Sequence, residues 1–339
     1  MAGPVNAGPG RPAGGSRPRP WAGVGAFALT ATVLAIARLK APFTILLADR
    51  VLPGAGWVEI ALLAAYAGVL VLRLSSRPLD TRYRLRIWLG FSIVFFAQFL
   101  LGVSGIRQLL MTGVLHVPVP AVVIAGPIYR GERFFMPILF ISTILLAGPA
   151  WCSHLCYFGG WDGLAAAVRR RAGRLAPAWT WLRIALFAAT PLAAWLLRAT
   201  GVGGRTAALA AVAFGAVGLA LMAVFSTRRG VMAHCTGYCP LGLAAVLLGR
   251  ISPFRLRFRE RCNGCGKCIP ACRYNALDAA RIRARKPGYS CTLCGDCLAA
   301  CPEGALEFRF PGLTPAGARM VFLVLVVSLH AVFLGVARI

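Results

Sequence analysis

Acidic side chains are scarce in this sequence. Only 10 Asp plus Glu stand against 37 Lys plus Arg in 339 residues, a formal charge of +27. The long apolar runs hold almost no carboxylate or lysine, so a transporter energised by bound redox centres would lack groups to carry ions at membrane depth. A glycine-rich nucleotide fingerprint, a CxxCH haem attachment site and a flavin motif are also missing, which leaves those cofactors without a recognisable seat. Charged residues make up only 14% of the chain, too few for the surface of an ordinary soluble domain.

What is present is apolar. Hydrophobic residues reach 58% and the mean hydropathy is +0.72, which makes a bilayer the expected solvent. A span needs about 20 apolar residues. Segments 21–37, 56–72, 87–104, 134–150, 181–197 and 205–225 approach that length, and 320–337, with His330 as its one titratable side chain, closes the series. Pro191 inside the fifth run is compatible with a bundle, where neighbours satisfy the freed carbonyl.

The cations lie between these runs, where the positive-inside rule places them without any polyanion, so nucleic acid is not expected as a partner. Arg11, Arg17, Arg19, Arg73, Arg77, Arg82, Arg84, Arg86, Arg169, Arg170, Arg171, Arg174, Arg183, Arg228 and Arg229 fall on one side. The sparser Arg38, Lys40, Arg50, Arg107, Arg130, Arg133, Arg198 and Arg205 fall on the other. This bias predicts a cytoplasmic N-terminus. Residues 1–20, rich in Gly, Pro and Arg, read as a disordered cytoplasmic tail, and the next apolar run lacks a small-residue signal cleavage site. The connection 105–133 is too apolar for a solvated loop and too broken by Pro118, Pro120, Gly126 and Pro127 for a straight span. It reads as re-entrant or interfacial. His116 within it is expected to make a structural hydrogen bond more readily than a ligand contact.

All 12 cysteines belong to spaced motifs. Cys262, Cys265, Cys268 and Cys272 in "CNGCGKCIPAC", and Cys291, Cys294, Cys297 and Cys301 in "CTLCGDCLAAC", each form CxxCxxCxxxC, the run associated with 4Fe-4S clusters. In two-cluster ferredoxins the fourth cysteine ligates the other cluster. The expected ligand sets are therefore Cys262, Cys265, Cys268 with Cys301, and Cys291, Cys294, Cys297 with Cys272. A shift of 29 residues carries the first group onto the second and Ala276–Leu277 onto Ala305–Leu306, the mark of a duplicated unit. Zinc generally takes two separated pairs, and disulfides are disfavoured on a reducing face. Arg273 follows Cys272 where Pro302 follows Cys301.

The other four cysteines form two CxxxC pairs. Cys152 and Cys156 in "WCSHLCYFGG" follow the fourth run, and Cys235 and Cys239 in "AHCTGYCPLG" follow the sixth, so topology puts both pairs on the cytoplasmic side. Residues i and i+4 share a helix face, which would present each pair of thiols together. "GLAAAV" at 163–168 echoes "GLAAVL" at 242–247, a second, weaker repeat. Three readings stand: one additional metal centre on four thiols, two redox dithiols, or small residues packing a helix end. His154 and His234 sit beside the thiols as candidate ligands or proton relays, against capping or solvation as the ordinary role of a helix-end histidine. The linker 250–261, "RISPFRLRFRER", alternates Arg as a short strand does and would hold its module near anionic lipid headgroups.

This set of motifs, over roughly residues 85–311, resembles the membrane polyferredoxin-type proteins that include the quinol dehydrogenase membrane subunit of periplasmic nitrate reductase and the nitrous-oxide reductase regulator family. A cbb3-oxidase assembly protein is a more distant likeness. The family's CxxxCP motif is matched at Cys235, Cys239 and Pro240, whereas Tyr157 replaces the proline after Cys156. The resemblance implies a multi-pass protein of the bacterial inner membrane, passing electrons between the quinone pool or cytoplasmic donors and a partner redox enzyme. Quinone binding is implied by resemblance alone. The competing class is a redox-sensing regulator or a maturation factor for a respiratory metalloenzyme.

The expected architecture is an α-helical integral membrane protein of about 6–7 transmembrane helices with a small α+β two-cluster ferredoxin-like module. The parts are a tail at 1–20, a helical domain with both CxxxC motifs at 21–250, a cytoplasmic module at 251–311 and a closing helix at 318–339.

Overall fold

The computed structural model describes residues 19–76, 81–110 and 117–336. Most of the predicted tail 1–20 lies outside these residues, as do His116 and Arg77. The helices are α1 (Pro20–Lys40), α2 (Leu47–Val51), α3 (Gly56–Ser76), α4 (Thr81–Val103), α5 (Val122–Arg130), α6 (Phe135–Ala147), α7 (Tyr157–Ala167), α8 (Ala178–Ala199), α9 (Gly204–Leu221), α10 (Thr227–Arg229), α11 (Pro240–Leu248), α12 (Ala279–Arg283), α13 (Asp296–Ala299) and α14 (Pro315–Gly335). Two strands, β1 (Arg255–Phe258) and β2 (Leu306–Arg309), complete the secondary structure of the described residues.

Seven helical stretches among the described residues are long and apolar enough to cross a membrane: Pro20–Lys40, Gly56–Ser75, Thr81–Val103, Phe135–Leu155, Ala178–Ala199, Gly204–Arg229 and Pro315–Gly335. Each contains most of one apolar run, because a sequence without polar periodicity can satisfy its backbone only internally. Their ends carry ordinary helix signals. Pro20 and Pro315 occupy first-turn positions where a missing N–H costs nothing, and the Thr314 hydroxyl caps α14 by accepting from the Gly317 amide at 3.2 Å. The described residues of the segment 105–133 supply no span. Its described part folds as a short turn at Arg107–Leu109 and as α5, which packs on α8 with Pro127 inside it.

Helices α1, α3 and α14 pack together, α4 packs on α7, and β2 packs on α14. One apolar core runs from Trp88, Ile144 and Trp151 among the helices into Phe254, Phe308 and Tyr274 of the cysteine-rich segment. That segment is closed by β1 and β2, paired antiparallel with Arg255 opposite Arg309 and Phe258 opposite Leu306. The alternation in "RLRF" reads out as expected: Leu256 and Phe258 are buried, Arg255 and Arg257 only partly so.

The 29-residue repeat extends to backbone conformation. Left-handed residues Gly264, Gly266 and Asn275 have left-handed counterparts at Leu293, Gly295 and Gly304. The Ala276 amide donates to Cys272 Sγ, and the Ala305 amide to Cys301 Sγ, both at 3.3 Å.

Candidate metal centres

The CxxxC pairs do not lie on a regular helix face, which corrects the expectation drawn from i, i+4 spacing. Trp151–Leu155 and His234–Tyr238 are π-turns. In each, the second cysteine leaves the helix in extended conformation and its amide donates five residues back, Cys156 to the Trp151 carbonyl at 2.9 Å and Cys239 to the His234 carbonyl at 2.8 Å. Each second cysteine then becomes the residue before a new helix, α7 or α11. Widened turns of this kind recur at functional sites. Pro240 sits at the first position of α11, where proline is favoured. Its counterpart Tyr157 keeps the same backbone and stacks on Phe95 with ring centroids 3.9 Å apart.

Electrostatic neighbourhood sorts the 12 cysteines into three groups of four. Cys268 faces Cys262, Cys265 and Cys301. Cys297 faces Cys272, Cys291 and Cys294. Cys235 faces Cys152, Cys156 and Cys239. The first two groups coincide with the crossed ligand sets read from spacing, and the third brings the two CxxxC loops together. No three Cys, His, Asp or Glu side chains among the described residues draw in closely enough to hold a single metal ion. A cubane, with one thiolate at each iron corner, holds its ligands farther apart than one ion does.

Burial governs the thiols. It pushes Cys156 and Cys272 up to about 12 and Cys268 up to about 11, so that as free thiols they keep their protons. The amides of Phe158 and Gly159 at the start of α7, and of Leu241 and Gly242 at the start of α11, pull Cys156 and Cys239 the other way, as helix N-termini do for thiolates. A cycling dithiol needs an accessible thiolate, and all four CxxxC cysteines are buried. A bound cation favours the thiolate without exposure. The amide-to-sulfur hydrogen bonds at Cys272 and Cys301 fit the same chemistry, because cluster thiolates accept such bonds.

The second cysteine group is fastened to the first CxxxC loop. Tyr274 is 1% exposed, and its hydroxyl donates to the Cys152 carbonyl at 2.9 Å. Its hydroxyl lies within electrostatic reach of Cys294 of the second group and of Cys152 and Cys235 of the CxxxC loops. Ser153 Oγ donates to the Thr292 carbonyl at 2.9 Å. Arg84 forms a buried bidentate pair with Asp296, at 3.1 and 2.8 Å, and donates to the Ser153 carbonyl at 2.9 Å. Arg273, at the position that Pro302 holds in the other half of the repeat, donates to the carbonyls of Ala166, Gly230 and Arg169.

Asp162 of α7 ties the two loops together, accepting from the Ser226 hydroxyl at 2.6 Å and the Cys235 amide at 2.9 Å. Burial raises its carboxyl to about 6 against those bonds. Neither loop histidine is solvated. His154 Nδ1 meets Ser153 Oγ at 2.8 Å, whereas both ring nitrogens of buried His234 lack a hydrogen-bond partner. Beside the loops, a cavity of about 490 Å³ lies between α5, α8 and α9, walled by small residues such as Ala125, Gly126, Ala194 and Ala208. It shares Val117, Val119 and Val122 with a smaller cavity that touches Cys156 and Tyr157.

Tyr274, Arg84, Asp296, Asp162 and Arg183 were not singled out by sequence reasoning as site residues. Arg84 and Arg183 entered it only as interfacial cations, yet they are 4% and 6% exposed. The one available signal was their position inside or at the edge of an apolar run.

A family model described as a 4Fe-4S binding domain matches residues 132–174 and 209–259, and a second model of the same description matches residues 257–278. These stretches are similar to 4Fe-4S binding domains, which supports an iron–sulfur protein. The first match takes in both CxxxC loops, and the second takes in Cys262, Cys265, Cys268 and Cys272. No curated protein and no solved structure matches the chain.

Proposed function

We propose that the protein is a membrane-embedded electron-transfer protein with three four-thiolate centres. Cys262, Cys265, Cys268 and Cys301 would hold one 4Fe-4S cluster, Cys272, Cys291, Cys294 and Cys297 a second, and Cys152, Cys156, Cys235 and Cys239 a third. Bound clusters supply one-electron carriers. The surrounding residues bury the sulfurs, donate amides to them and hold the second and third groups against each other through Tyr274. The observation that carries this reading is the sorting of every cysteine into one of three groups of four, with one buried side chain bordering two of the groups.

The seven apolar stretches support a multi-pass protein of a bacterial inner membrane, and the basic-residue bias supports a cytoplasmic N-terminus and cysteine-rich module. The apolar cavity of about 490 Å³ between α5, α8 and α9, which shares Val117, Val119 and Val122 with the small cavity touching Cys156, supports a quinone as the membrane-side electron carrier, while cytoplasmic donors would meet the exposed Cys265 end of the module. A partner redox enzyme completes the circuit, and no nucleic acid is involved.

Anaerobically purified protein is expected to contain about twelve irons per chain, four to each cubane, with three separable paramagnetic signals on reduction. About eight irons would remove the third centre, and stoichiometric zinc without iron would sink the whole reading. A deletion strain in which a respiratory metalloenzyme is left metal-deficient would replace electron relay by a maturation role.

A further inference from the structure

Each CxxxC loop receives a side chain from another helix, and the two visitors differ. Trp88 of α4 lies against Gly159, three residues past Cys156, and its Nε1 donates to the Cys156 carbonyl at 2.8 Å. Arg183 of α8 lies against Gly242, three residues past Cys239, and its Nε donates to the Cys239 carbonyl at 3.4 Å. A Cβ at Gly242 would stand 2.7 Å from Arg183 Nη2, and one at Gly159 would run into the Trp88 ring. The same slot thus holds a neutral donor in one loop and a full positive charge in the other.

Arg183 is buried, and no carboxylate forms an ion pair with it among the described residues. Asp162 is taken by Ser226 and the Cys235 amide, and the other buried arginine of this region, Arg84, has Asp296. A guanidinium does not shed its proton, and a buried charge without a counter-charge is strongly unfavourable. The groups that interact electrostatically with Arg183 are the His234 ring, which carries no negative charge, and the sulfurs of Cys152, Cys235 and Cys239. As thiols they are neutral and leave the charge uncompensated. Four thiolates around a cubane core leave a net negative charge beside it.

We infer that Arg183 is the fixed counter-charge of an anionic iron–sulfur centre on Cys152, Cys156, Cys235 and Cys239, and that it raises the reduction potential of that centre alone. The inference rests on the third-centre reading above. One-electron reduction adds one negative charge next to the guanidinium; no bond forms or breaks, and no proton has to follow. Charge near a cluster is one of the levers that set its potential.

The test is a redox titration followed by electron paramagnetic resonance, with iron analysis, on the full-length protein and its Arg183→Gln and Arg183→Lys variants. Arg183→Gln is expected to lower the potential of one signal by at least the equivalent of a tenfold change in its reduction equilibrium, 59 mV for one electron, with the other two unmoved. Arg183→Lys should restore most of the shift. If Arg183→Gln loses one centre, recovery of its iron in Arg183→Lys supports the charge requirement, and loss in both variants overturns it. Retained iron with unmoved potentials in Arg183→Gln overturns the inference and leaves the third centre standing. About eight irons in the unsubstituted protein overturns both.

Discussion

The two halves of the 29-residue repeat share a backbone and live in opposite surroundings. In the first half Asn263, Gly264 and Lys267 are exposed, as is Cys265. In the second, Thr292, Leu293 and Asp296 stand at the equivalent positions, each 4% exposed or less. Thr292 receives Ser153, Leu293 reaches the backbone at Gly148, and Asp296 holds Arg84. The halves agree at the cysteines, the left-handed turns and the amide-to-sulfur bonds, the parts that the proposed clusters would use. Where they differ, the changes serve docking. The difference also orders the three cysteine groups: a solvent-facing group, a docked group, then the CxxxC group beyond Tyr274.

The strongest way to break this contrast is Asp296→Asn, which leaves Arg84 buried without its counter-ion. Removing one partner of a buried pair costs about 3–5 kcal/mol, and the unfolding temperature of the anaerobic protein should fall steeply. Tyr274→Phe is milder. It removes one hydrogen bond and leaves the Cys152 carbonyl without that donor, a loss of about 1–2 kcal/mol in thermal unfolding, with iron content unchanged. Lys267→Asp copies the docked residue into the exposed half and should shift stability by less than about 0.5 kcal/mol. A large effect there would mean that the first half is covered as well.

Much of this was legible in the sequence because the chemistry is local. A span needs one uninterrupted apolar run, and four cysteines within eleven residues announce their own turn, so the seven stretches and the 29-residue repeat could be read directly. The CxxxC loops were half legible. Their spacing pointed to paired thiols, but four residues fit a regular helix as well as a π-turn that ends one, and nothing in "CSHLC" or "CTGYC" distinguishes the two. The docking contacts were not legible. Arg84 and Asp296 lie 212 residues apart, and a charge at the edge of an apolar run looks the same whether it faces headgroups or a buried carboxylate.

The short sheet has a mechanical consequence. β1 follows directly from α11 and β2 leads directly into α14, and the two strands are bonded to each other along their length. The cysteine-rich segment is therefore clamped at its entrance and its exit by one clasp, and Arg84, Ser153, Tyr274 and Arg273 pin it to the helices. Such a piece cannot swing out to fetch charge from elsewhere. In the proposed role it is a fixed terminal on a circuit board, and a partner at its outer end would have to travel to it.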